Sequence, residues 1–202
     1  MSMFSKPISR REFTAQLACA ALLAHTTSAL AQPTAPVLAT TKAPAELGAF
    51  GSGAPWQMQG SGALRFFGFK AYDANLWTTA PVSSAVNPFT AKSLYALEIV
   101  YNTGIKAEEI INVSMVEMAR LRRLSDAQLA AWTTEMQRSF PSVVKGDRLT
   151  GLHVPNVGTR FFFNARLISE INDPAFGDAF FAIWLDNGTK RPELRKQLLG
   201  QG

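Results

Sequence analysis

Residues 62–77 read Gly-Ala-Leu-Arg-Phe-Phe-Gly-Phe-Lys-Ala-Tyr-Asp-Ala-Asn-Leu-Trp, a run that is rich in aromatic side chains and contains no proline. Aromatic and β-branched residues fit the pleated surface of a sheet, so the run predicts strand structure from Ala63 to Thr79. The same kind of pattern returns at Ser93–Tyr101, after a stretch that holds two prolines. The first half of the folded region is therefore expected to be β structure.

The next part of the chain has helical periodicity. Apolar side chains fall on one face of a helix over Thr103–Leu124. Ser125 and Gln128 have the spacing of a capping box and predict the start of a second helix, which Pro141 ends. Two helices between blocks of strands indicate that helices and strands are segregated along the chain.

A second β block and two more helices complete the pattern. Arg148–Val154 and Thr159–Ile171 predict a hairpin around the turn at residues 155–158. Asp173-Pro174 supplies an N-cap and a first-turn proline for a third helix that ends at Asn187-Gly188. The last helix is predicted from three leucines, which are Leu194, Leu198 and Leu199. Hairpins with separate helical blocks favour an α+β fold with an antiparallel sheet.

These segments resemble the chalcone isomerase-like family in order and spacing. Residues 62–77 are similar to the family's first strands, where an Arg precedes a Tyr-containing strand. The resemblance spans roughly Ser61–Gly200. The later matching segments are Glu98–Gly104, Phe140-Pro141, Gly146-Asp147, Pro155-x-x-Gly158 and Phe180–Leu185. The resemblance implies an open-faced β-sandwich: a large antiparallel sheet with a layer of helices and a cleft between them for an apolar ligand.

The family contains both enzymes that close a flavanone ring and non-catalytic proteins that bind fatty acids. On this sequence the resemblance assigns the ligand-binding Arg to Arg65 and puts Tyr72 where the plant isomerases have a catalytic Thr. The isomerases' catalytic Tyr and Asn correspond to Ala107 and Ser114, and their late Ser or Thr falls near Ile183. Most of the groups that would stabilise a reacting oxygen are thus absent.

We therefore expect a non-catalytic protein that binds a small apolar ligand such as a fatty acid, with Arg65 at the head group and Tyr72 donating a hydrogen bond. The alternative is an isomerase, an intramolecular lyase acting on a chalcone-like or related conjugated ketone, with Arg65 and Tyr72 as its catalytic groups. Neither the ligand nor the oligomeric state follows from the sequence.

Two polar residues, Ser114 and Glu117, fall inside the apolar arc of the first helix and are candidate ligand-binding residues. A buried carboxylate usually needs a partner, and Arg65 or Arg120 could provide one. Alternatively, Glu117 lies at the rim and forms a surface ion pair with Arg120 three residues on.

The N-terminus has the sequence pattern of an export signal. Ser9-Arg10-Arg11-Glu12-Phe13 matches the twin-arginine pattern, although the two arginines also suit the positive region of a general secretion signal. Ala29-Leu30-Ala31 predicts cleavage before Gln32, which leaves no stable membrane anchor. We expect a signal peptide over 1–31, a flexible leader over 32–55 that is rich in Pro, Ala and Thr, and one domain over 56–202 in a periplasmic or otherwise exported protein.

Composition excludes several classes of function. The net charge of +5 falls to +3 in residues 32–202, which does not favour nucleic-acid binding. The only cysteine, Cys19, leaves with the signal, so disulfides, thiolate catalysis and cysteine metal sites are excluded. No phosphate-binding glycine loop occurs, and the glycines at 51–53 and 60–62 are predicted to lie in turns.

The expected mature chain contains one histidine, His153, and a zinc site with histidine ligands needs more than one. No cofactor is expected. A haem protein is a third hypothesis, prompted by the export route, and His153 would be its axial ligand.

Overall fold

The computed structural model describes residues 42–51, 53–66, 68–79 and 94–201. The predicted signal and the first ten residues of the leader lie outside these ranges. The strands of the described residues are Gln57–Phe66 (β1), Phe69–Thr78 (β2), Tyr95–Tyr101 (β3), Arg148–Val154 (β4), Gly158–Phe163 (β5) and Arg166–Ile171 (β6). The α-helices are Ala107–Leu121 (α1), Asp126–Ser139 (α2), Pro174–Leu185 (α3) and Pro192–Leu198 (α4).

The six strands form one antiparallel sheet in which every strand pairs with its neighbour in sequence. The helices α1 and α2 connect β3 to β4, and α3 and α4 follow β6. All four helices contribute to one apolar core on one face of the sheet, which we call the helix side. The opposite face is called the far side. The predicted α+β fold, an antiparallel sheet with a layer of helices, is confirmed.

Two of the predicted strands are in fact hairpins. The stretch Ala63–Thr79 turns at Gly68, which has φ 84°, and continues as β2. The stretch Thr159–Ile171 turns at Asn164-Ala165, where both residues have positive φ. Asn is one of the few non-glycine residues that tolerate the left-handed conformation, but Ala165 gives no turn signal, and the sequence prediction missed this turn.

Local signals set the helix boundaries correctly in two cases. The Ser125 Oγ accepts a hydrogen bond from the Gln128 amide while the Gln128 side chain accepts one from the Ser125 amide, so the capping box is confirmed. Asp173 caps α3 through the Ala175 amide. The first helix begins at Ala107 and not at Thr103, because Ile105 pairs with Val143 in a short antiparallel bridge.

The end of the predicted leader is part of the folded domain. Residues Ala45–Ala49 form a short 3₁₀ helix, and Leu47 is fully buried on the far side with Trp77 and Leu152. The Trp56 indole donates to the carbonyl oxygens of Leu47 and Phe50. The expectation of a flexible leader up to residue 55 is therefore wrong for residues 45–50, because burial of one leucine and its partners fixes this stretch.

The glycines at 60 and 62 were predicted to lie in a turn, but both lie within β1. Gly60 pairs with Leu76 and Gly62 with Ala74. A Cβ on Gly60 would overlap the carbonyl oxygens of Gln197 and Leu198 in α4. The missing side chains let α4 pack directly on the backbone of β1. At 51–53, Gly51 and Gly53 both have positive φ, as a turn requires.

None of the helices in the described ranges is long and apolar enough to cross a bilayer.

Candidate functional site

Tyr72 lies on the helix side of the sheet near one end of the strands. It is paired between Leu64 of β1 and Tyr101 of β3, and all three side chains pack with the helix-side core. Its ring meets that of Tyr101 edge to face, with 6.1 Å between the centroids. The side chains of Leu64 and Tyr72 keep partial exposure, so this end of the helix–sheet interface reaches solvent.

The Tyr72 hydroxyl is held by the helix layer. Trp184, near the end of α3, donates its indole N–H to the Tyr72 oxygen over 2.8 Å. Burial raises the pKa of Tyr72 to about 12, against the smaller opposing effects of the Trp184 hydrogen bond and the Arg191 charge. The hydroxyl therefore keeps its proton at neutral pH. Because Trp184 uses only a lone pair of the oxygen, the proton can be donated to another group.

Arg191 is the positive charge that acts on Tyr72. It immediately precedes α4, and its charge has the smallest of the three effects on the pKa of the tyrosine, which it lowers. The backbone there is fixed, since the Arg191 amide donates to Thr189 Oγ1, whose hydroxyl donates to the Ile183 carbonyl. Arg191 is not among the site residues predicted from the sequence. Its position just before Pro192 marks only a helix start, and its proximity to Tyr72 arises from the packing of α3 and α4.

Arg65 lies on the other face from Tyr72. Successive side chains of a strand point to opposite faces, and Leu64 packs on the helix side. The pairing with β2 is irregular here: Leu64 pairs with Tyr72 and Arg65 with Lys70, so the extra residue, Ala71, lies in β2 and the alternation along β1 is kept. The Lys70 ammonium forms an ion pair with Asp73 of the far side over 2.8 Å. The structure therefore does not bring the two predicted ligand-binding residues of β1 and β2 onto one face. The predicted ligand contact of Arg65 stays a prediction.

Ser114 and Glu117 of α1 have partners within the protein. The buried Ser114 hydroxyl donates to the Ile110 carbonyl over 2.8 Å. Glu117 forms ion pairs with Arg120 at 2.7 Å and with Lys190 at 2.5 Å. Burial tends to raise the pKa of Glu117, but the hydrogen bonds from Lys190 and Arg120 outweigh it and lower the pKa. The ion pair with Arg120, considered as the rim alternative, is present.

The two other positions that correspond to isomerase catalytic residues carry apolar side chains. Ala107 begins α1 and Ile183 lies in the last turn of α3. Neither side chain can donate or accept a hydrogen bond. Of the positions that correspond to catalytic residues, Tyr72 and Ser114 are polar, and the Ser114 hydroxyl proton is already bonded within α1.

His153 is packed inside the helix–sheet interface at the other end of the strands. Its ring stacks on Tyr95 with 4.6 Å between centroids, and Phe181 lies 5.8 Å away. Burial lowers the pKa of His153 to about 4. A Cβ on Gly177 would lie 2.8 Å from the His153 Nδ1, so the α3 backbone closes that side. This close approach leaves no space for a haem iron at Nδ1. Within the described ranges no three His, Cys, Asp or Glu side chains converge as metal ligands.

A separate small cavity lies between α1 and α2. Its volume is about 200 Å³, and it is lined by Ala107, Glu108, Ile111, Asn112 and Gln137. It does not include any residue of the predicted site.

Comparison with known proteins gives one family and a structural neighbour. A family model described as chalcone isomerase-like matches residues 38–200. No curated protein matches the chain. Among solved structures, the chain is similar to a fatty-acid binding protein of Arabidopsis thaliana, at 9% identity and a TM-score of 0.57, over 71% of this chain and 86% of the neighbour. At this identity the likeness shows the fold.

Proposed function

The chain belongs to the chalcone isomerase-like family, and we propose that it binds a small apolar carboxylate such as a fatty acid, without converting it, between the sheet and the helices. The observation that carries the proposal is the Tyr72 hydroxyl. It is oriented by Trp184 over 2.8 Å, it keeps its proton, and it lies at the partly exposed end of an apolar interface.

The head group would be recognised at Tyr72 and Arg191. A carboxylate accepts hydrogen bonds only, so it needs a donor and gains from a nearby positive charge. Tyr72 supplies the donor, and Arg191 supplies a positive charge that acts on the same hydroxyl. The donor and the positive charge that a carboxylate needs are thus both associated with Tyr72.

The apolar tail would lie against the helix-side core. Leu64, Tyr72 and Ile183 pack against that core while remaining partly exposed, so apolar surface is available at its edge. The structural neighbour of the same fold is described as a fatty-acid binding protein, which supports the same class of ligand. Since this region is packed, the partly exposed side chains at this edge must shift for a long chain to enter.

A fluorescence displacement assay on the delipidated mature chain, starting at Gln32, tests the proposal. We expect Tyr72→Phe and Arg191→Gln each to weaken the binding of hexadecanoic acid about 10-fold, because each removes an interaction with a charged group. Arg65→Gln is the matched control and should leave the affinity unchanged. Absence of binding by the native protein overturns the proposal. A loss of affinity in Arg65→Gln alone would indicate that the head group binds on the far side of the sheet.

The isomerase alternative is tested by the loss of chalcone absorbance with the same proteins. Turnover by the native protein that depends on Tyr72 would favour the isomerase. Ring closure needs charge stabilisation at the reacting oxygen, which the side chains of Ala107 and Ile183 cannot supply. We expect no turnover above the uncatalysed rate.

We further propose that the protein is exported through its N-terminal signal. The support is the twin-arginine pattern at residues 9–13 and the cleavage pattern before Gln32. Replacing Arg10 and Arg11 with lysines should retain the protein in the cytoplasm if the route is the twin-arginine one. Unchanged export of this variant would indicate the general secretion route, because lysine preserves the positive charge.

A further inference from the structure

A row of buried polar side chains crosses the sheet at the end opposite to Tyr72. Thr78, Tyr95, His153 and Thr159 are direct cross-strand neighbours on β2, β3, β4 and β5. All four are at most 4% exposed. They belong to the helix side, where Phe181 of α3 contacts the rings of Tyr95 and His153. The row is polar although it lies within an otherwise apolar interface.

Three polar atoms of this row have no hydrogen-bond partner among the described residues: Tyr95 Oη, His153 Nδ1 and Thr159 Oγ1. Folded proteins satisfy nearly all of their buried polar atoms, and three unpaired atoms on adjacent strands are unusual. Replacing these residues by Phe or Val of similar shape would have avoided the unpaired atoms. The row therefore indicates a site for a hydrogen-bonding group.

Gly177 of α3 faces two of these atoms. A Cβ at this position would lie 2.8 Å from His153 Nδ1 and 3.0 Å from Thr159 Oγ1. Glycine inside a helix is unfavourable compared with alanine, and Gly177 does not have a positive φ that would require it. Glycine is therefore explained by the close approach of the α3 backbone to these two atoms, and α3 must shift for a ligand oxygen to reach them.

The charges around the row favour an uncharged ligand group. Burial lowers the pKa of His153 to about 4, so the imidazole is neutral. Burial and the charge of Asp178 both raise the pKa of Tyr95, so the phenol is also neutral. Asp178 itself would repel an anion. Two hydroxyls and a neutral imidazole suit a hydroxyl or carbonyl oxygen, whereas the Tyr72 end suits a carboxylate.

The helix α3 connects the two ends. Gly177 in its first half lies on the polar row, and Trp184 near its end bonds to Tyr72. Along β2, Tyr72 and Thr78 are six positions apart, which corresponds to about 20 Å. A long-chain molecule lying under α3 would therefore have one end at each polar group.

We propose that the Tyr95–His153–Thr159 row is a second polar subsite, which binds a hydroxyl or carbonyl oxygen at the far end of a long-chain carboxylate. This inference rests on the proposed function, since the carboxylate is bound at Tyr72. Phe181 covers the row, so its ring must shift when the ligand enters. The protein is thereby selective for oxygenated over unsubstituted long-chain acids.

The test compares hexadecanoic acid with 16-hydroxyhexadecanoic acid in the displacement assay, on the native mature chain and on Tyr95→Phe and Thr159→Val. We expect the native protein to bind the hydroxy acid about 10-fold more tightly, as for one or two additional hydrogen bonds. Each variant should lose most of this preference and bind hexadecanoic acid as the native protein does. Both substitutions nearly preserve side-chain volume, and either one that folds is sufficient for the test.

Equal affinity of the native protein for the two acids overturns the second subsite and leaves the proposed function intact. A preference that both variants retain also overturns it, because the hydroxyl would then bind elsewhere. Binding of neither acid is the distinct result that overturns the proposed function.

Discussion

Tyr72, Tyr95 and His153 are polar side chains inside an interface that is otherwise apolar, and their environments differ in one respect. The Tyr72 oxygen has a partner in Trp184, whereas Tyr95 Oη and His153 Nδ1 have none among the described residues. Residue type and position along a strand were visible in the sequence. Pairing was not, since the Trp184 indole comes from a position 112 residues further along the chain.

His153 predicts a pH dependence of stability. Its pKa is lowered from 6.5 to about 4 by burial, so the unfolded chain binds the proton between these values and the folded protein does not. The stabilising effect is complete above pH 6.5 and is lost as the pH falls towards 4. From pH 7 to pH 5 we expect the native protein to lose about 2 kcal/mol more unfolding free energy than His153→Gln. Urea unfolding of both proteins at the two pH values measures this difference, and parallel losses would contradict it.

The Tyr72–Trp184 hydrogen bond predicts a coupling between the two residues. Tyr72→Phe leaves the buried Trp184 N–H without an acceptor and should cost about 1–3 kcal/mol of unfolding free energy. In Trp184→Phe the same hydrogen bond is already absent, so adding Tyr72→Phe should cost clearly less. A double-mutant cycle by urea unfolding gives the coupling energy, and additive effects of the two changes would show that the bond contributes no stability.

At the scale of elements, capping and turn residues predicted the helix boundaries more accurately than the strand boundaries. The capping box at Ser125 and the Asp173-Pro174 start act within a few residues, so sequence alone located them. The strands were merged because the Asn164-Ala165 turn has weak local signals. The role of Gly60 was also missed, because it depends on contact with α4, more than 130 residues away in the chain.

Gly60 predicts a steric requirement for the packing of α4 on β1. Gly60→Ala should lower the unfolding free energy by about 1–3 kcal/mol or more, since the added methyl overlaps the backbone of α4. Gly48→Ala is the control: no atom lies within 4 Å of its added Cβ, and we expect a change within about 0.5 kcal/mol. Thermal and urea unfolding of the two variants provide the comparison, and equal stabilities would exclude the close packing of α4.

At the scale of the whole molecule, the N-terminal residues complete the far side of the sheet. Glu46 accepts hydrogen bonds from Arg148 and Thr150, and Arg148 also lies 3.6 Å from the buried Glu98. Phe50 stacks under the Arg160 guanidinium at 5.0 Å and meets Phe162 edge to face. The sheet is therefore covered on both faces over part of its area: by helices on one and by residues of the predicted leader on the other.

Removal of the leader predicts a loss of stability. The free energy of unfolding should be lower by at least about 2 kcal/mol for a chain that starts at Trp56 than for one that starts at Gln32, because the shorter chain lacks the buried Leu47 side chain. In the longer chain, Leu47→Ala should lower the free energy of unfolding by about 2–5 kcal/mol. This variant distinguishes the effect of burying Leu47 from the effect of chain length. Equal stability of the two chain lengths would contradict this prediction and support the expectation of a flexible leader up to residue 55.

The sequence by itself determined the fold class, the chalcone isomerase-like family and several helix boundaries. Periodicity, capping residues and motif order are read over a few neighbouring positions, where local hydrogen bonds and side-chain alternation decide the structure. Only the tertiary structure decided that Arg65 and Tyr72 lie on opposite faces, that Arg191 acts on Tyr72, and that residues 45–50 belong to the domain. These facts depend on contacts between distant segments, such as the 102 positions that separate Glu46 from Arg148. Burial of such contacts is a property of the packed molecule, and no local pattern encodes it.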